Sequence, residues 1–219
     1  MMMAIENSCS RAMRAQARGS FALRVFLALV WVGLTVVPGY AGAPTDSMKG
    51  TIDDILRIIR EKELKQPGKA EERRQQLEKV VGARFDYQEM SRRALGAPWN
   101  SLSDHEKQEF VGLFQTLLTN SYADKIETYS GEGVQYLNER IIDKDYAEVR
   151  TKVLSGKTEI PLDYRLINKA EDWRVYDVLV DNVSLVNNYR GQFTKIIRAS
   201  SYSDLVDQLR KKSDKLKSP

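Results

Sequence analysis

The sequence has very few of the side chains that enzymes use for nucleophilic or metal-assisted chemistry. Its 219 residues include one histidine, His105, and one cysteine, Cys9. This scarcity excludes metal sites built from several histidines and zinc-finger spacings, and removal of Cys9 with the leader described next also excludes a cysteine–histidine catalytic pair. The sequence also lacks a glycine-rich phosphate loop, a G-x-S-x-G turn and a G-x-G-x-x-G fingerprint. Hydrolysis by paired carboxylates stays open, because acidic residues are plentiful and a sequence does not show which of them meet.

The first 43 residues have the pattern of a secretory signal peptide. A leader with four arginines precedes a largely apolar run of 13 residues at 25–37. A membrane-spanning helix needs roughly 20 apolar residues, so this run is short for one. The small residues Ala41, Gly42 and Ala43 follow it and resemble a signal-peptidase site. We expect cleavage after Ala41 or Ala43 and export of residues 44–219; an uncleaved signal anchor is the alternative, and it also exports the rest of the chain.

Removal of this leader changes the charge balance. Four of the 34 basic residues and one of the 30 acidic residues lie in it, which leaves 30 basic and 29 acidic residues. A nucleic-acid-binding protein needs a concentrated basic surface, so a nearly neutral exported domain argues against a nucleic-acid partner. Cys9 is removed as well, which excludes disulfide bonds and an amino-terminal lipidated cysteine from the remainder.

Residues 44–219 predict a single α+β domain. Thr51 and Asp86 are predicted helix N-caps, and Ser103 followed by Glu106 is typical of a capping box that leaves His105 solvated in the first turn. Apolar residues then recur at helical spacing from 104 to 129. After this helix the period changes to two, which predicts four strands at 134–142, 146–154, 158–167 and 173–180.

The predicted strands are joined by short turns, which favours an antiparallel meander. Two of them alternate apolar and charged side chains, so one face of the sheet should be wet and the other covered. Helical apolar stripes at 185–197 and 201–216 supply the cover. A curved four-stranded antiparallel meander covered by helices forms an α+β cone, whose interior is either packed solid or open.

One stretch resembles a family signature. Residues 173–193, WRVYDVLVDNVSLVNNYRGQF, are similar to the pattern W-x-V-Y-D-V-x-V-x-G-V-S-L-V-x-N-Y-R of the MlaC family, also called toluene-tolerance auxiliary transport proteins. Further matches are FDYQEMSRRALGAPW at 85–99, FVGLFQTLLTNSYADKIETY at 110–129 and AEVRTKV at 147–153. Together they cover most of residues 50–210. Asn182 stands where the family often has glycine, and asparagine also accepts a left-handed turn conformation.

This resemblance implies a periplasmic phospholipid carrier without catalytic residues, cofactor or metal. Members of the family look like single α+β domains, related in shape to the NTF2-like cone, that enclose acyl chains in an apolar cavity and leave the head group near its mouth. They exchange lipid with an inner-membrane ABC transporter complex bearing an MCE-domain protein and with an outer-membrane lipoprotein–porin complex. Some relatives are linked with hopanoid export, so a hopanoid is the alternative cargo.

Twelve positions are the predicted lipid-binding residues, and plain core packing is the alternative for each. They are Leu117, Val149, Thr151, Val153, Leu162, Tyr164, Leu166, Tyr176, Val178, Val186, Tyr189 and Phe193. Arg190 is the head-group candidate, because a guanidinium group suits phosphate; a structural or solvated arginine is the alternative. Basic residues between 195 and 217 either steer docking to anionic membranes or complexes, or form a solvated helix face.

Two other functions stay open. NTF2-like cones also house isomerases and dehydratases that use a buried aspartate with tyrosines. Asp177, with Tyr164 on the neighbouring strand, fits that arrangement, and a structurally hydrogen-bonded or solvent-facing carboxylate is the alternative for Asp177. The third hypothesis is a general periplasmic chaperone, which would bind unfolded polypeptide instead of lipid.

Overall fold

Six α-helices and five β-strands follow one another in the described residues, which are 43–129 and 131–217 of this computed structural model. The predicted signal peptide lies outside them except for Ala43, the first residue of helix α1. None of the described helices is both long and apolar enough to cross a membrane.

Four helices precede the sheet and two follow it. The first four are α1 (Ala43–Arg60), α2 (Ala70–Arg84), α3 (Tyr87–Leu95) and α4 (Asp104–Glu127), with 3₁₀ turns at Glu63–Lys65 and Ala97–Ser101. The strands are β1 (Gly133–Asp143), β2 (Tyr146–Ser155), β3 (Thr158–Lys169), β4 (Asp172–Val180) and β5 (Val183–Ser184). The last two helices are α5 (Leu185–Ala199) and α6 (Tyr202–Lys217).

Two predicted helix starts are confirmed. The Asp86 carboxylate accepts a hydrogen bond from the backbone N–H of Glu89 at 2.9 Å, which caps α3. Ser103 and Glu106 exchange the two bonds of a capping box at the start of α4, with the backbone N–H of Ser103 donating at 2.8 Å and that of Glu106 at 3.3 Å. His105 is exposed in the first turn of α4.

The predicted N-cap at Thr51 is wrong. Thr51 lies inside α1, and its hydroxyl donates to the carbonyl oxygen of Ser47 at 3.0 Å. The helix starts eight residues earlier, at Ala43. Met48 and Ile52 lie on one face of this longer helix, and both are buried against the sheet.

The strands form one antiparallel sheet in the order β1-β2-β3-β4-β5. Four strands were predicted, and the fifth is the two-residue strand Val183–Ser184, which pairs with Leu179 and Val180. A tight turn at Asp181 and Asn182 makes this pairing possible, with φ of 49° and 64°. Asparagine tolerates this left-handed region better than most residues, so Asn182 fits the turn position that the family pattern gives to glycine.

A β-bulge in β4 changes which residues share a face. Val175 and Asp177 pair with consecutive residues of β3, so Tyr176 has no direct partner. The extra residue shifts the alternation by one position. Val175 and Val178 consequently face the same side of the sheet, although they are three residues apart.

Buried apolar side chains form two large clusters. The helical cluster joins α3, α4, α5 and α6 with the turn that follows α3: Met90, Ala94, Leu95, Trp99, Phe110, Phe114, Leu117, Leu118, Val186, Tyr189, Phe193, Leu205 and Leu209. The sheet cluster joins α1 to one face of the sheet, called the inner face below: Met48, Ile52, Leu56, Ala147, Val149, Tyr164, Leu166, Trp173, Val175 and Val178. Phe85 packs against both clusters and links them.

Replacing Phe114 by alanine should destabilise the protein strongly. Phe114 is fully buried, and its ring contacts those of Phe110, Tyr189 and Phe193. We expect Phe114→Ala to lower the free energy of unfolding by about 3–5 kcal/mol in urea denaturation. Val183→Ala, at a site 59% exposed, is the control and should change that free energy by less than about 0.5 kcal/mol. Equal losses for both variants would contradict a central role of the helical cluster.

Candidate functional site

Four rows of side chains cross the inner face, as the strand register shows. Starting from the turn between β2 and β3, the first row is Val134, Val153 and Ile160, and the second is Tyr136, Thr151, Leu162 and Val180. The third row is Glu139, Val149, Tyr164 and Val178, and the fourth is Ile141, Ala147, Leu166 and Val175.

Burial changes along this face. Val149 in the third row and Ala147, Leu166 and Val175 in the fourth are completely buried in the sheet cluster. By contrast, every residue of the first row is only partly buried, and in the second row only Thr151 is fully buried. The first two rows are called the open end below. On β2, β3 and β4 the inner face is therefore covered by α1 at one end and partly exposed at the other. The β1 members of the two covered rows differ, because Glu139 is partly buried and Ile141 is 52% exposed at the sheet edge.

The structure distributes the twelve predicted lipid-binding residues over different surroundings. Four belong to the sheet cluster: Val149, Tyr164, Leu166 and Val178. Four belong to the helical cluster: Leu117, Val186, Tyr189 and Phe193. Thr151, Val153 and Leu162 lie at the open end. The twelve do not share one cavity wall, because α1 covers the third and fourth rows and the helical cluster is packed separately.

Tyr176, the last of the twelve, lies on β4, but its side chain does not point to the inner face. The bulge directs its ring toward Tyr146, with centroids 5.7 Å apart and an interplanar angle of 86°. The guanidinium carbon of Arg93 lies 4.1 Å from the centroid of Tyr176. The prediction that Tyr176 points inward with Val178 is wrong, because it assumed strict alternation in a strand that contains an extra residue.

Tyrosine and threonine hydroxyl groups add polar points to the inner face. Burial raises the pKa of Tyr136 to about 12, and burial also raises the pKa of Tyr164. The hydroxyl of Thr151, between them, donates to the carbonyl oxygen of Leu162. The Tyr136 hydroxyl is buried without a hydrogen-bond partner among the described residues. Both phenols stay neutral at physiological pH, so they add hydrogen-bonding groups but no charge.

Sequence reasoning missed four residues of the open end: Val134, Tyr136, Ile160 and Val180. The two-residue alternation along β3 and β4 was a sufficient signal for the last two. On β1 the register shifts just after Tyr136, and this irregularity hides the alternation in the sequence.

A cleft of about 630 Å³ lies between α1 and α2. Its lining includes Asp54, Arg57 and Arg84 and is therefore unlike the predicted apolar cavity. Asp54 pairs with Arg57 at 2.7 Å, and Arg84 pairs with Asp172 at 2.9 Å, so these charges already have protein partners. In the described part of the chain, no group of three histidine, cysteine, aspartate or glutamate side chains is placed to hold a metal ion.

Arg190, the predicted head-group contact, lies in a second pocket, of about 330 Å³, together with Arg92 and Arg93. Arg93 also lies over the ring of Tyr146, 5.5 Å from its centroid, which locates the pocket beside the first residue of β2. Val153 of the open end is seven residues further along that strand, or roughly 23 Å away. The arginine pocket and the open end are therefore at opposite ends of the sheet.

Glu89 holds two of the pocket arginines. Its carboxylate accepts two hydrogen bonds from Arg92, at 2.8 and 2.6 Å, and one from Arg93, at 2.6 Å. Burial alone would raise the pKa of Glu89, but the hydrogen bonds from the two guanidinium groups outweigh burial and hold the pKa below its ordinary value. The carboxylate therefore stays charged and orients both arginines.

The family model described as MlaC protein matches residues 49–211, which is most of the chain. The chain belongs to the MlaC family.

Two curated relatives resemble this MlaC-family chain. The intermembrane phospholipid transport system binding protein MlaC of Haemophilus influenzae is 22% identical over 122 residues, which cover 53% of this chain and 57% of that protein. The toluene tolerance protein ttg2D of Pseudomonas putida is 22% identical over 155 residues, which cover 70% of this chain and 72% of that protein. The chain thus spans little more than half the length of the first of these relatives.

A solved structure has a similar fold. It is the phospholipid-binding protein from Ralstonia solanacearum in complex with a phospholipid, with a TM-score of 0.72 and 24% identity, and the match covers 79% of this chain and 98% of that one. At this identity the likeness establishes an α+β fold shared with that protein. The more specific NTF2-like cone stays a prediction.

Asp177, the residue on which the enzyme hypothesis rested, has a structural role in this MlaC-family chain. Its carboxylate accepts hydrogen bonds from the Ser184 hydroxyl at 2.6 Å, the Val186 backbone N–H at 3.1 Å and the Arg165 guanidinium at 3.3 Å. Tyr164 lies on the inner face, whereas Asp177 pairs with Arg165 on the opposite face. The predicted catalytic pair of Asp177 and Tyr164 is therefore not formed.

Removing the charge of Asp177 should affect stability and leave any bound ligand in place. We expect Asp177→Asn to lower the free energy of unfolding by roughly 1–3 kcal/mol, because one of the two carboxylate oxygens becomes an amide group that cannot accept these bonds. Asp181→Asn is the control, since Asp181 is exposed and asparagine suits its positive φ. Urea denaturation measures both. An Asp177→Asn protein of unchanged stability would contradict the structural role.

The ion pairs of Glu89 predict a pH-dependent contribution to stability. Because the pKa of Glu89 is lowered in the folded state, the stabilisation is present above about pH 4.5 and is lost as the pH falls through the folded-state pKa. We expect Glu89→Gln to lower the free energy of unfolding by roughly 1 kcal/mol at pH 7. The effect is this small because Arg92 is half exposed, and solvent weakens its ion pair with Glu89. This difference from the unaltered protein should shrink below about pH 4.

The matched control for this measurement is Glu72→Gln. Glu72 pairs with Lys69 on the exposed surface of α2, so its replacement should have a small effect with little pH dependence. A Glu89→Gln difference that stays constant from pH 7 to pH 3 would contradict the lowered pKa of Glu89.

Proposed function

We propose that this chain is a phospholipid carrier that holds acyl chains against the open end of the inner face. The observation that carries this proposal is the gradient of burial along β2, β3 and β4 on the inner face, which α1 covers at one end and leaves partly exposed at the other. Val134, Val153 and Ile160 form a continuous apolar row there, and Leu162 and Val180 continue it. A contiguous, partly exposed apolar surface is the kind of place where an apolar ligand is buried.

The energetics of a lipid cargo fit a carrier without catalytic groups. At about 0.8 kcal/mol per methylene, burying the roughly 30 methylenes of a diacyl lipid corresponds to about 24 kcal/mol relative to water, more than non-covalent complexes realise. Release into water is therefore not a step of such a carrier. Transfer to a bilayer or to another apolar site is nearly neutral, and it needs a docking partner but no acid, base or nucleophile. The scarcity of histidine and cysteine agrees with that requirement.

We further propose that longer acyl chains extend from the open end beneath α1. The cover over the third and fourth rows consists of Met48, Ile52 and Leu56, and methionine adapts readily to irregular apolar surroundings. The other side of α1 borders the cleft of about 630 Å³, so α1 has room to move away from the sheet. In this arrangement Val149, Tyr164, Leu166 and Val178 line the lipid site, and the residues of the helical cluster remain core.

The proposal includes export to the periplasm through the leader at residues 1–43. There the carrier would exchange lipid with an inner-membrane ABC transporter complex bearing an MCE-domain protein and with an outer-membrane lipoprotein–porin complex. The signal-peptide pattern supports this location, and the name of the Haemophilus influenzae relative supports intermembrane transport. The basic carboxyl-terminal segment is less available for docking than its composition suggests, because Arg210 pairs with Glu109 and Asp207.

The cargo can be identified directly. The full-length chain is expressed in a Gram-negative host, recovered from the periplasmic extract without detergent, and measured by native mass spectrometry followed by lipid extraction. We expect an excess mass equal to one or two phospholipids that disappears on denaturation. A polycyclic hopanoid would keep the carrier function and change its cargo. A folded protein without excess mass would contradict the carrier function.

Leu162→Glu should abolish lipid binding if the open end holds the acyl chains. A carboxylate in the second row would have to be desolvated against the chains, which costs several kcal/mol. The control Leu137→Glu makes the same change on β1 at a side chain that is 53% exposed. We expect Leu162→Glu to retain less than one-tenth of the co-purified lipid and Leu137→Glu to retain all of it. Circular dichroism checks that both variants fold, and a folded Leu162→Glu protein that keeps its lipid would contradict this location of the site.

A further inference from the structure

Three of the six residues that line the pocket at the end of α3 are arginines. Arg92, Arg93 and Arg190 surround a volume of about 330 Å³, together with Gly96 and Asn100. Arg92 and Arg93 come from the last turn of α3, and Arg190 comes from α5, which packs beside it. Two helices thus bring three guanidinium groups to one small concave surface.

The charges of this pocket are not balanced by the protein. Glu89 is the ion-pair partner of both Arg92 and Arg93. Arg190 has no ion pair or hydrogen bond within the part of the chain that the structure describes. One carboxylate therefore faces three guanidinium groups, which leaves an excess of about two positive charges around the pocket.

Gly96 sets the position of Arg190. A Cβ atom at residue 96 would lie 3.2 Å from Nε and 3.3 Å from Nη2 of Arg190, which is too close for an unstrained contact. The backbone of Gly96 also has φ of 70° and ψ of −136°, a conformation that favours glycine. The guanidinium group consequently lies directly against the backbone of the turn, and its N–H donors are free for another acceptor.

Arg93 is fixed from the other side. Its guanidinium group lies over the rings of Tyr176 and Tyr146, with distances of 4.1 and 5.5 Å to their centroids. Its Nη2 also donates to the Tyr146 hydroxyl at 3.3 Å. Because Glu89 holds Nε of the same group, the orientation of Arg93 is set before any ligand arrives, which lowers the entropic cost of binding.

We propose that this pocket binds a phosphate-type oxyanion. Guanidinium groups bind phosphate through paired N–H donors, and several of them are needed to satisfy its oxygens. Two excess positive charges match a phosphate monoanion or dianion, and the amide of Asn100 is available as a further donor. The inference does not rest on the carrier function, because the pocket lies beside Tyr146, and the open end begins at Thr151, five residues or roughly 16 Å further along β2.

The test is a comparison of anions at constant ionic strength. Thermal unfolding of the full-length protein is followed while chloride is replaced by inorganic phosphate, sn-glycerol 3-phosphate or acetate. We expect a saturable rise in the melting temperature with the two phosphates and little rise with acetate. A stronger response to sn-glycerol 3-phosphate than to inorganic phosphate would identify a lipid head group as the source of the anion, and an equal response would identify free phosphate.

Arg190→Gln and Arg198→Gln form a matched pair of variants. Both remove one arginine from α5, and both arginines are exposed without ion pairs among the described residues, so neither change should disturb folding. We expect Arg190→Gln to weaken phosphate binding at least tenfold and Arg198→Gln to leave it within twofold. No saturable response to either phosphate, or equal binding by both variants, would overturn the proposal.

Mass spectrometry of the same two variants separates this proposal from the carrier function. If Arg190→Gln keeps the co-purified lipid but loses phosphate binding, the pocket is an anion site independent of the cargo. If Arg190→Gln alone loses the lipid as well, the phosphate that the pocket binds is the head group of the cargo. A protein that binds phosphate through Arg190 but carries no lipid would contradict the carrier function and leave the anion site intact.

Discussion

The buried carboxylate of Asp177 joins the sheet to helix α5, and the position of the arginine pocket depends on this connection. It accepts hydrogen bonds from the Ser184 hydroxyl and the Val186 N–H, while the Ser184 oxygen accepts from the N–H of Asn187 at 3.0 Å and caps α5. Because Ser184 and Val186 at the start of α5 are both bound to Asp177 of β4, and Ser184 in turn caps the helix, the rotation of α5 is fixed. One side of it then enters the helical cluster, and Arg190 is directed to the turn after α3.

The opposite face of the sheet is unsuitable for a lipid, and this leaves the inner face for an apolar ligand. Glu148 is nearly buried there and pairs with Arg150 at 3.0 Å and Arg165 at 3.6 Å. Burial raises the pKa of Asp163 on the same face, which shows how strongly these side chains shield one another from water. Covering this network with acyl chains would desolvate several more charges. Because the opposite face carries these charges, the inner face is the side of the sheet on which acyl chains are expected to bind.

Much of the fold can be predicted from periodicity and capping in the sequence. The predictions that are wrong share one cause. The long helix α4 and the first four strands follow from regular spacing, and the caps at Asp86 and Ser103 follow from local side-chain chemistry. The errors come from long-range contacts. Tyr176 left the inner face because of a bulge that only pairing with β3 reveals, and α1 began earlier than predicted because contact with the sheet stabilises its first turns. The arginine pocket was equally hidden, since two separate helices supply its three guanidinium groups.

The distance between the arginine pocket and the open end restricts how one lipid molecule can use both. If the pocket holds the phosphate of the cargo, the acyl chains must run along the whole inner face, and α1 with Met48 and Ile52 must move away from the sheet. If the chains occupy only the open end, the pocket faces a different phosphate, and the two sites act at opposite ends of the molecule. The first arrangement couples lipid binding to movement of α1, whereas the second leaves α1 in place. Hydrogen exchange of the α1 backbone with and without bound phospholipid distinguishes them, because bound acyl chains should increase exchange in the first arrangement and leave it unchanged in the second, and sn-glycerol 3-phosphate, which has no chains, is the control.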